Sequence, residues 1–198
     1  MQTVVPAAGR ESRLESLTAE TPKGLVSIAG RPLLEYVFKR AVEAGTEELI
    51  VVVGYEGRQI IDRFGDTFSG VPITYVRQHD RRGLAHTVLQ AEAHTRARPC
   101  CSTVNNVFSG PITPAVGALA ADGVDGVLAT ETVSKDCAAR TGVVEFENDD
   151  VVAIHEKPSE PPSTTVTTGC YVLPEAIFEA CKLVQSSAEG EYQLSEAV

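Results

Sequence analysis

Lysine is scarce in this chain: only five of its 17 cationic residues are lysine, against 27 aspartates and glutamates, which leaves a formal net charge of -10. That balance opposes binding to nucleic acid or to an anionic membrane, so neither is expected as a partner. An acidic, lysine-poor surface suits a protein that works in concentrated salt, and a halophilic source is the expectation. Paired cysteines are also missing. Cys100, Cys101, Cys137, Cys170 and Cys181 form no Cys-x-x-Cys pair and have no histidine at zinc-ligand spacing, which removes support for a metal-thiolate site or a disulfide framework. Free thiols in a reducing compartment are the simpler reading. No apolar run approaches the length of a membrane span, and no secretory leader is recognisable, so a soluble cytoplasmic protein is expected.

What is there suits one globular unit. At 198 residues, 43% hydrophobic and 22% charged, residues 1–198 read as a single domain. "QTVVPAA" is a β-branched run that breaks into a Gly/Ser/Thr-rich loop. "PLLEYVFKRAVEAG" carries Leu33, Leu34, Val37, Phe38, Ala41 and Val42 at helical spacing and stops at Gly45. "ELIVVVG" has the length and continuity of a buried strand, followed by "EGRQIIDRFGD" as helix, "PITYVRQ" as strand and "GLAHTVLQAEAHT" as helix. Strand and helix alternate, which predicts a Rossmann-like α/β fold with a mostly parallel central sheet and helices on both faces. After "CSTVNNVFSG" and a helical "ITPAVGALAADG", the segments "DGVLATETV", "GVVEFEN", "DVVAIHEKP" and "TTGCYVL" read as strands with few helices between them. A smaller β-rich flank is therefore expected from about residue 133 onward.

Ligands of an open α/β sheet bind at the carboxyl ends of the strands. The loops after Pro6, Gln78, Val104 and Glu156 should then converge. In the first of them Gly9 and the amides after it can turn N–H groups toward a phosphate, while Arg13 and Lys23 supply positive charge. By itself such a loop is also what an ordinary surface loop looks like.

The spacing adds more. "AAGRESRLESLTAETPKGLVSIAGRPLLEYV" resembles the opening signature of the sugar-1-phosphate nucleotidylyltransferases, of the glucose-1-phosphate uridylyl and thymidylyl kind: small-small-Gly, a loop ending in Arg-Leu, then Pro-Lys and a Gly-x-Pro-Leu helix. "YVRQHDRRGLAHTVLQA", "NNVFSG", "GVVEFENDDVVAIHEKP", "TTGCYVL" and "GEYQLSEAV" follow in the family's order, so the resemblance covers nearly the whole chain. It implies the nucleotide-diphospho-sugar transferase fold. It also implies transfer of a nucleotidyl group from UTP or dTTP to a sugar-1-phosphate such as glucose-1-phosphate, with magnesium as cofactor. The nucleoside triphosphate and the sugar-1-phosphate are the small-molecule partners, and a second copy or an active paralogue would be the protein partner.

Residue by residue, Ala8, Gly9, Ser12, Arg13 and Lys23 match positions that hold the triphosphate, Ser12 standing for the usual threonine. Gln78 and Gly83 match the pair that reads the pyrimidine base. Gly142, Glu156, Lys157 and Gly169 match positions that grip the sugar and its phosphate. Arg13, Lys23 and Lys157 are thus the candidate catalytic cations. His86 and His155 have no acid or base role in the family and read as structural or as base-pocket lining.

Three departures fall on the metal and triphosphate side. The family holds magnesium with an aspartate where this chain has Asn105, a neutral ligand for a hard dication. Glu11 sits where the loop would want glycine, and a carboxylate about 5 Å from a phosphate charge costs about 3 kcal/mol at an effective dielectric near 20, less if exposed. A second family carboxylate lies beyond the "GEYQLSEA" helix, past Val198, so the domain reads as C-terminally short. On the sugar side Thr141 replaces the usual tyrosine. Two readings follow: an active sugar-1-phosphate nucleotidylyltransferase, or a catalytically degenerate subunit that binds a sugar nucleotide. A nucleotidyltransferase for molybdopterin-type cofactors shares the "ESRL" and "PK" features but leaves "EKP" and "TTGCYVL" unexplained.

Overall fold

The structure is a computed structural model that describes residues 1–9, 21–54, 56–80, 82–96, 99–103, 106–108, 110–119, 121–148, 150–187 and 190–198. Its strands are β1 (Gln2–Ala7), β2 (Ser27–Ile28), β3 (Arg31–Pro32), β4 (Glu48–Val53), β5 (Thr67–Phe68), β6 (Val71–Arg77), β7 (Cys100–Ser102), β8 (Val127–Thr132), β9 (Gly142–Glu147), β10 (Asp150–Glu156) and β11 (Thr165–Val172). The α-helices are α1 (Leu33–Glu43), α2 (Gly57–Phe64), α3 (Leu84–Leu89), α4 (Thr113–Ala118), α5 (Lys135–Ala138) and α6 (Ile177–Leu183).

Among the described residues one sheet runs β10-β9-β11-β7-β1-β4-β6-β5, with β8 pairing β11 beside that path. Its centre is parallel: β7, β1, β4 and β6 run side by side in one direction. The expected β-rich flank exists, yet it is no separate layer, because antiparallel β11 joins β7 and so welds β8, β9 and β10 into the same sheet.

Burial follows the two-residue period of a strand. Val5, Ala7, Leu49, Val51 and Val53 pack on one face with Leu34, Val37, Phe38 and Ala41 of α1 and Ile60 of α2. Val4, Ile50 and Val52 face the other way, against Ala91. Cys101 and Tyr171 turn to α3 and α6, while Cys100, Cys170 and Val172 turn to Ile112 beside α4. Both faces are covered, which is why "ELIVVV" is apolar without alternation. The four cysteines in these strands and in α6 are buried free thiols, and burial pushes the Cys101 thiol up out of the range where it would ionise.

Phe38 is fully buried and meets Phe64 and Phe68 edge-on, at ring-centroid distances of 4.9 and 5.4 Å. Phe38→Leu keeps most of the volume and loses both edge contacts, so it should cost about 1–2 kcal/mol. Urea unfolding with a reduced midpoint and an unchanged slope is the expected record.

Two helices come out shorter than their sequence patterns. α3 gives way after Leu89 to a turn and a 3₁₀ segment at Glu92–His94. There the Gln2 side chain donates to the His94 carbonyl at 3.0 Å and accepts from the Arg96 N–H at 2.7 Å. A tertiary partner thus satisfies backbone groups at the end of this segment. "GEYQLSEA" forms only a 3₁₀ turn at Leu194–Glu196, and the Tyr192 backbone bonds instead to Arg82 and Ala85. No helix among the described residues is long and apolar enough to cross a membrane.

Candidate active site

A cleft of about 1380 Å³ opens over the carboxyl ends of the parallel strands. Pro6, Ala8 and Gly9 line it from the end of β1, and Lys23 enters from the 3₁₀ turn that starts "KGL". Gln78, His79, Asp80, Arg82 and Gly83 come from the loop after β6, and Thr103 and Asn106 from the loop after β7. Gly142, Glu156 and Lys157 come from the open end of the β9–β10 hairpin, and Gly169 from β11. Of the residues singled out in the sequence, Ala8, Gly9, Lys23, Gln78, Gly83, Gly142, Glu156, Lys157 and Gly169 all line this one cavity. Ser12, Arg13, Glu11 and Asn105 lie outside the described residues.

At the β6 end, Gln78 continues the strand by donating its N–H to the Val53 carbonyl at 2.9 Å, and it is 3% exposed. Its amide nitrogen lies 2.7 Å from His86 Nδ1, and its amide oxygen accepts the Thr87 hydroxyl at 3.0 Å. Burial, then the Arg82 cation, push the His86 pKa below its ordinary value, with Asp80 pulling the other way. That direction favours the neutral ring. Gly83, the second residue matched to the base-reading pair, lets backbone approach backbone. Its φ is +97°, and a Cβ there would lie 2.5 Å from the Tyr192 carbonyl oxygen. Tyr192 donates to the Arg82 carbonyl at 2.7 Å and accepts from the Ala85 N–H at 3.0 Å, which brings Glu191, Gln193 and Ser195 to the rim.

At the hairpin end, Glu156 pairs with Gly142 across β9 and β10, and the ladder runs one step further through the Lys157 N–H to the Thr141 carbonyl at 3.0 Å. Consecutive strand residues point to opposite faces, yet Glu156 and Lys157 both line the cleft. Lys157 breaks the alternation with a φ of +45°, a left-handed conformation that costs a non-glycine residue about 1–3 kcal/mol. A Cβ on Gly142 would stand 3.0 Å from Glu156 Oε2, so the glycine leaves the carboxylate its place. Gly169 has a φ of +76°, and a Cβ there would collide with Thr103 Oγ1, a buried oxygen with no hydrogen-bond partner among the described residues. Asn106 donates to the Thr168 carbonyl at 2.6 Å and ties the loop after β7 to β11. His155, by contrast, meets Glu145 at 2.6 Å on the exposed hairpin and is no part of the cleft lining.

Several residues escaped the sequence reading. Tyr171 lines the cleft with its hydroxyl 3.0 Å from Thr167 Oγ1, and its pKa is pushed up to about 12, chiefly by burial. Arg140 and the Arg82–Asp80 pair at 2.9 Å add charge to the rim. Their only sequence signal was adjacency to "GLAH" and "TG", and the pairing of Arg82 with Tyr192 spans too much chain to be seen there. Among the described residues no group of three His, Cys, Asp or Glu side chains could hold a metal ion.

A sequence model of the family described as Nucleotidyl transferase matches residues 2–198. The chain is 42% identical to the UTP–glucose-1-phosphate uridylyltransferase AglF of Haloferax volcanii, over 100% of this chain and 82% of that protein. It is 29% identical to a glucose-1-phosphate thymidylyltransferase of Streptomyces antibioticus, over 100% of this chain but 56% of the relative. Among solved structures, a UDP-glucose pyrophosphorylase complexed with UDP-glucose superposes with a TM-score of 0.89 over 99% of this chain and 84% of its own, at 24% identity, a likeness that concerns the fold.

Proposed function

Because this chain belongs to the nucleotidyl transferase family, we propose that it transfers a nucleotidyl group from UTP or dTTP to a sugar-1-phosphate, with glucose-1-phosphate as the sugar, and releases pyrophosphate. One observation carries the reading. One cleft gathers Gln78 and Gly83 at one end, Glu156 and Lys157 at another, and Gly9 and Lys23 by the β1 loop. A base, a sugar phosphate and a triphosphate each have a matching set of groups there.

On this reading a phosphate oxygen of the sugar-1-phosphate attacks the α-phosphorus in line. The new P–O bond forms as the bond to the β-phosphate breaks, and pyrophosphate leaves with the electron pair. The chemistry asks for positioning and positive charge rather than a covalent intermediate. Lys157 holds the attacking phosphate, Lys23 faces the triphosphate, and Arg13 shares that task. Glu156 accepts from sugar hydroxyls over Gly142. Magnesium, when bound with the triphosphate, would neutralise developing charge on the phosphate oxygens, a role in which one or two protein ligands suffice; Asn105 is the protein group proposed to meet it.

Pyrophosphate release across a panel of nucleoside triphosphates and sugar-1-phosphates, at low and high salt, tests the assignment. Turnover with UTP or dTTP and glucose-1-phosphate that stops with a chelator is expected. Sugar-nucleotide binding with no turnover in any combination would instead identify a non-catalytic binding subunit.

The acidic composition supports a halophilic setting. With a net charge of -10, molar salt shortens the screening length to about 3 Å and removes most of the self-repulsion. The melting temperature should rise by about 5 °C or more between dilute and molar potassium chloride. Melting curves that coincide would count against that setting.

A further inference from the structure

Gln78 cannot turn its amide freely, and one neighbour decides which way it faces. Thr87 is indifferent. Its hydroxyl donates to Gln78 Oε1 at 3.0 Å, but with the amide reversed it would accept from the nitrogen and pass its own proton to the Gly83 carbonyl, 2.9 Å away. Either order leaves every group bonded. His86 is not indifferent, because a bare Nδ1 only accepts and a protonated Nδ1 only donates. Gln78 Nε2 at 2.7 Å requires the bare form, so the neutral ring carries its proton on Nε2. The Gln90 amide nitrogen stands 3.4 Å from that Nε2 and 3.3 Å from the His86 carbonyl. Those are long contacts on a half-buried side chain that can turn, and the short contact to Gln78 governs.

One N–H and one oxygen lone pair of the Gln78 amide remain, in a fixed spatial order. Uracil and thymine offer an N3–H donor beside the C4 carbonyl acceptor, whereas cytosine offers an N3 acceptor beside the C4 amino donor. The two edges are mirror patterns. A ring seated in one pose suits one order of the amide and opposes the other.

We infer that His86 is the positioning residue for base selection: through its hydrogen bond to Gln78 it holds the amide in the order that admits a 4-keto pyrimidine nucleotide and rejects a 4-amino one. This rests on the proposed reading that Gln78 faces the base. Acid reverses the lock. A proton on Nδ1 opposes Gln78 Nε2, and the amide turns without leaving Thr87 or Gly83 unpaired. The charges acting on the ring are Arg82 and Asp80 from the preceding loop, and α6, packed on α3, carries the mutually paired Glu179 and Lys182.

The test uses the ligand-free full chain and two nucleotides. Nitrogen-15 shifts of the His86 ring should show the neutral tautomer protonated on Nε2; a proton on Nδ1 in the neutral ring would overturn the inference. Calorimetric affinities for UTP and CTP, which need no turnover, should favour UTP by about tenfold or more, and His86→Leu should collapse that ratio. A ratio unchanged in a folded His86→Leu would also overturn it. If that variant does not fold, the wild-type ratio should fall as the nitrogen-15 titration shows His86 gaining its proton, and a ratio that stays flat through that titration counts as refutation. Failure of both nucleotides to bind would sink the proposed function instead, while the tautomer measurement still decides the role of His86.

Discussion

Lys157→Ala is expected to lower kcat/KM for the sugar-1-phosphate by roughly 10²- to 10³-fold, the loss typical when one preorganised charge contact to a reacting phosphate or oxyanion is removed. The geometry says why so much should hang on one cation. Lys157 follows the last pair of the β9–β10 ladder and adopts a φ of +45°, which turns its side chain to the same cleft as Glu156. The chain holds that unfavourable conformation beside Pro158, where the residue before proline is already restricted. The turn sets the ammonium among the cleft-lining groups, where a phosphate can meet it. Alanine keeps the strain and removes the charge. Because the side chain is exposed, the melting temperature should barely move, so an activity loss can be read as a loss at the site. Calorimetry with a nucleoside diphosphate-sugar should show weaker binding in parallel. Equal affinity of variant and wild type would displace Lys157 from the phosphate.

How much of this could be read beforehand follows from the range of the interactions. The parallel centre of the sheet was legible because "VVPAA", "ELIVVV" and "PITYVR" are local patterns, each stating its own burial. α1 was legible for the same reason. The cleft residues were placed by motif order, and the described ones do meet in one cavity. What stayed hidden depends on contacts between distant segments. The segment after α3 is held by Gln2, more than ninety positions away from His94 and Arg96. The backbone of Tyr192 is bonded to Arg82 and Ala85. The strand periodicity of "DVVAIHE" predicted alternation past Glu156, and only the left-handed turn at Lys157 overrides it. His86 looked incidental because its importance lies in what it does to Gln78, eight residues earlier and on another element.

Gly83→Ala should lose both stability and nucleotide affinity, and the two losses have one cause. Gly83 combines a φ of +97° with a ψ of 179°, a region open to glycine and costly to any residue with a Cβ. An added Cβ would also stand 2.5 Å from the Tyr192 carbonyl oxygen and 2.7 Å from its nitrogen. Those are backbone atoms engaged with Ala85 and Arg82, so no side chain can swing aside to make room. Relief requires moving the 190–195 segment, which costs two hydrogen bonds and withdraws Gln193 and Ser195 from the cleft rim. Together the strain and the lost bonds come to about 2–5 kcal/mol. Gly142→Ala provides the control. Its Cβ would meet the flexible end of Glu156 at 3.0 Å, and its φ is not positive, so the change should leave the melting temperature nearly unaltered and fall on sugar binding alone. Thermal melts and calorimetry on both variants separate the cases: coupled losses for Gly83→Ala, a sugar-side loss for Gly142→Ala. A Gly83→Ala protein that melts with the wild type would mean that the 190–195 segment yields without cost, and that the contact with Tyr192 does not hold the base end of the cleft in place.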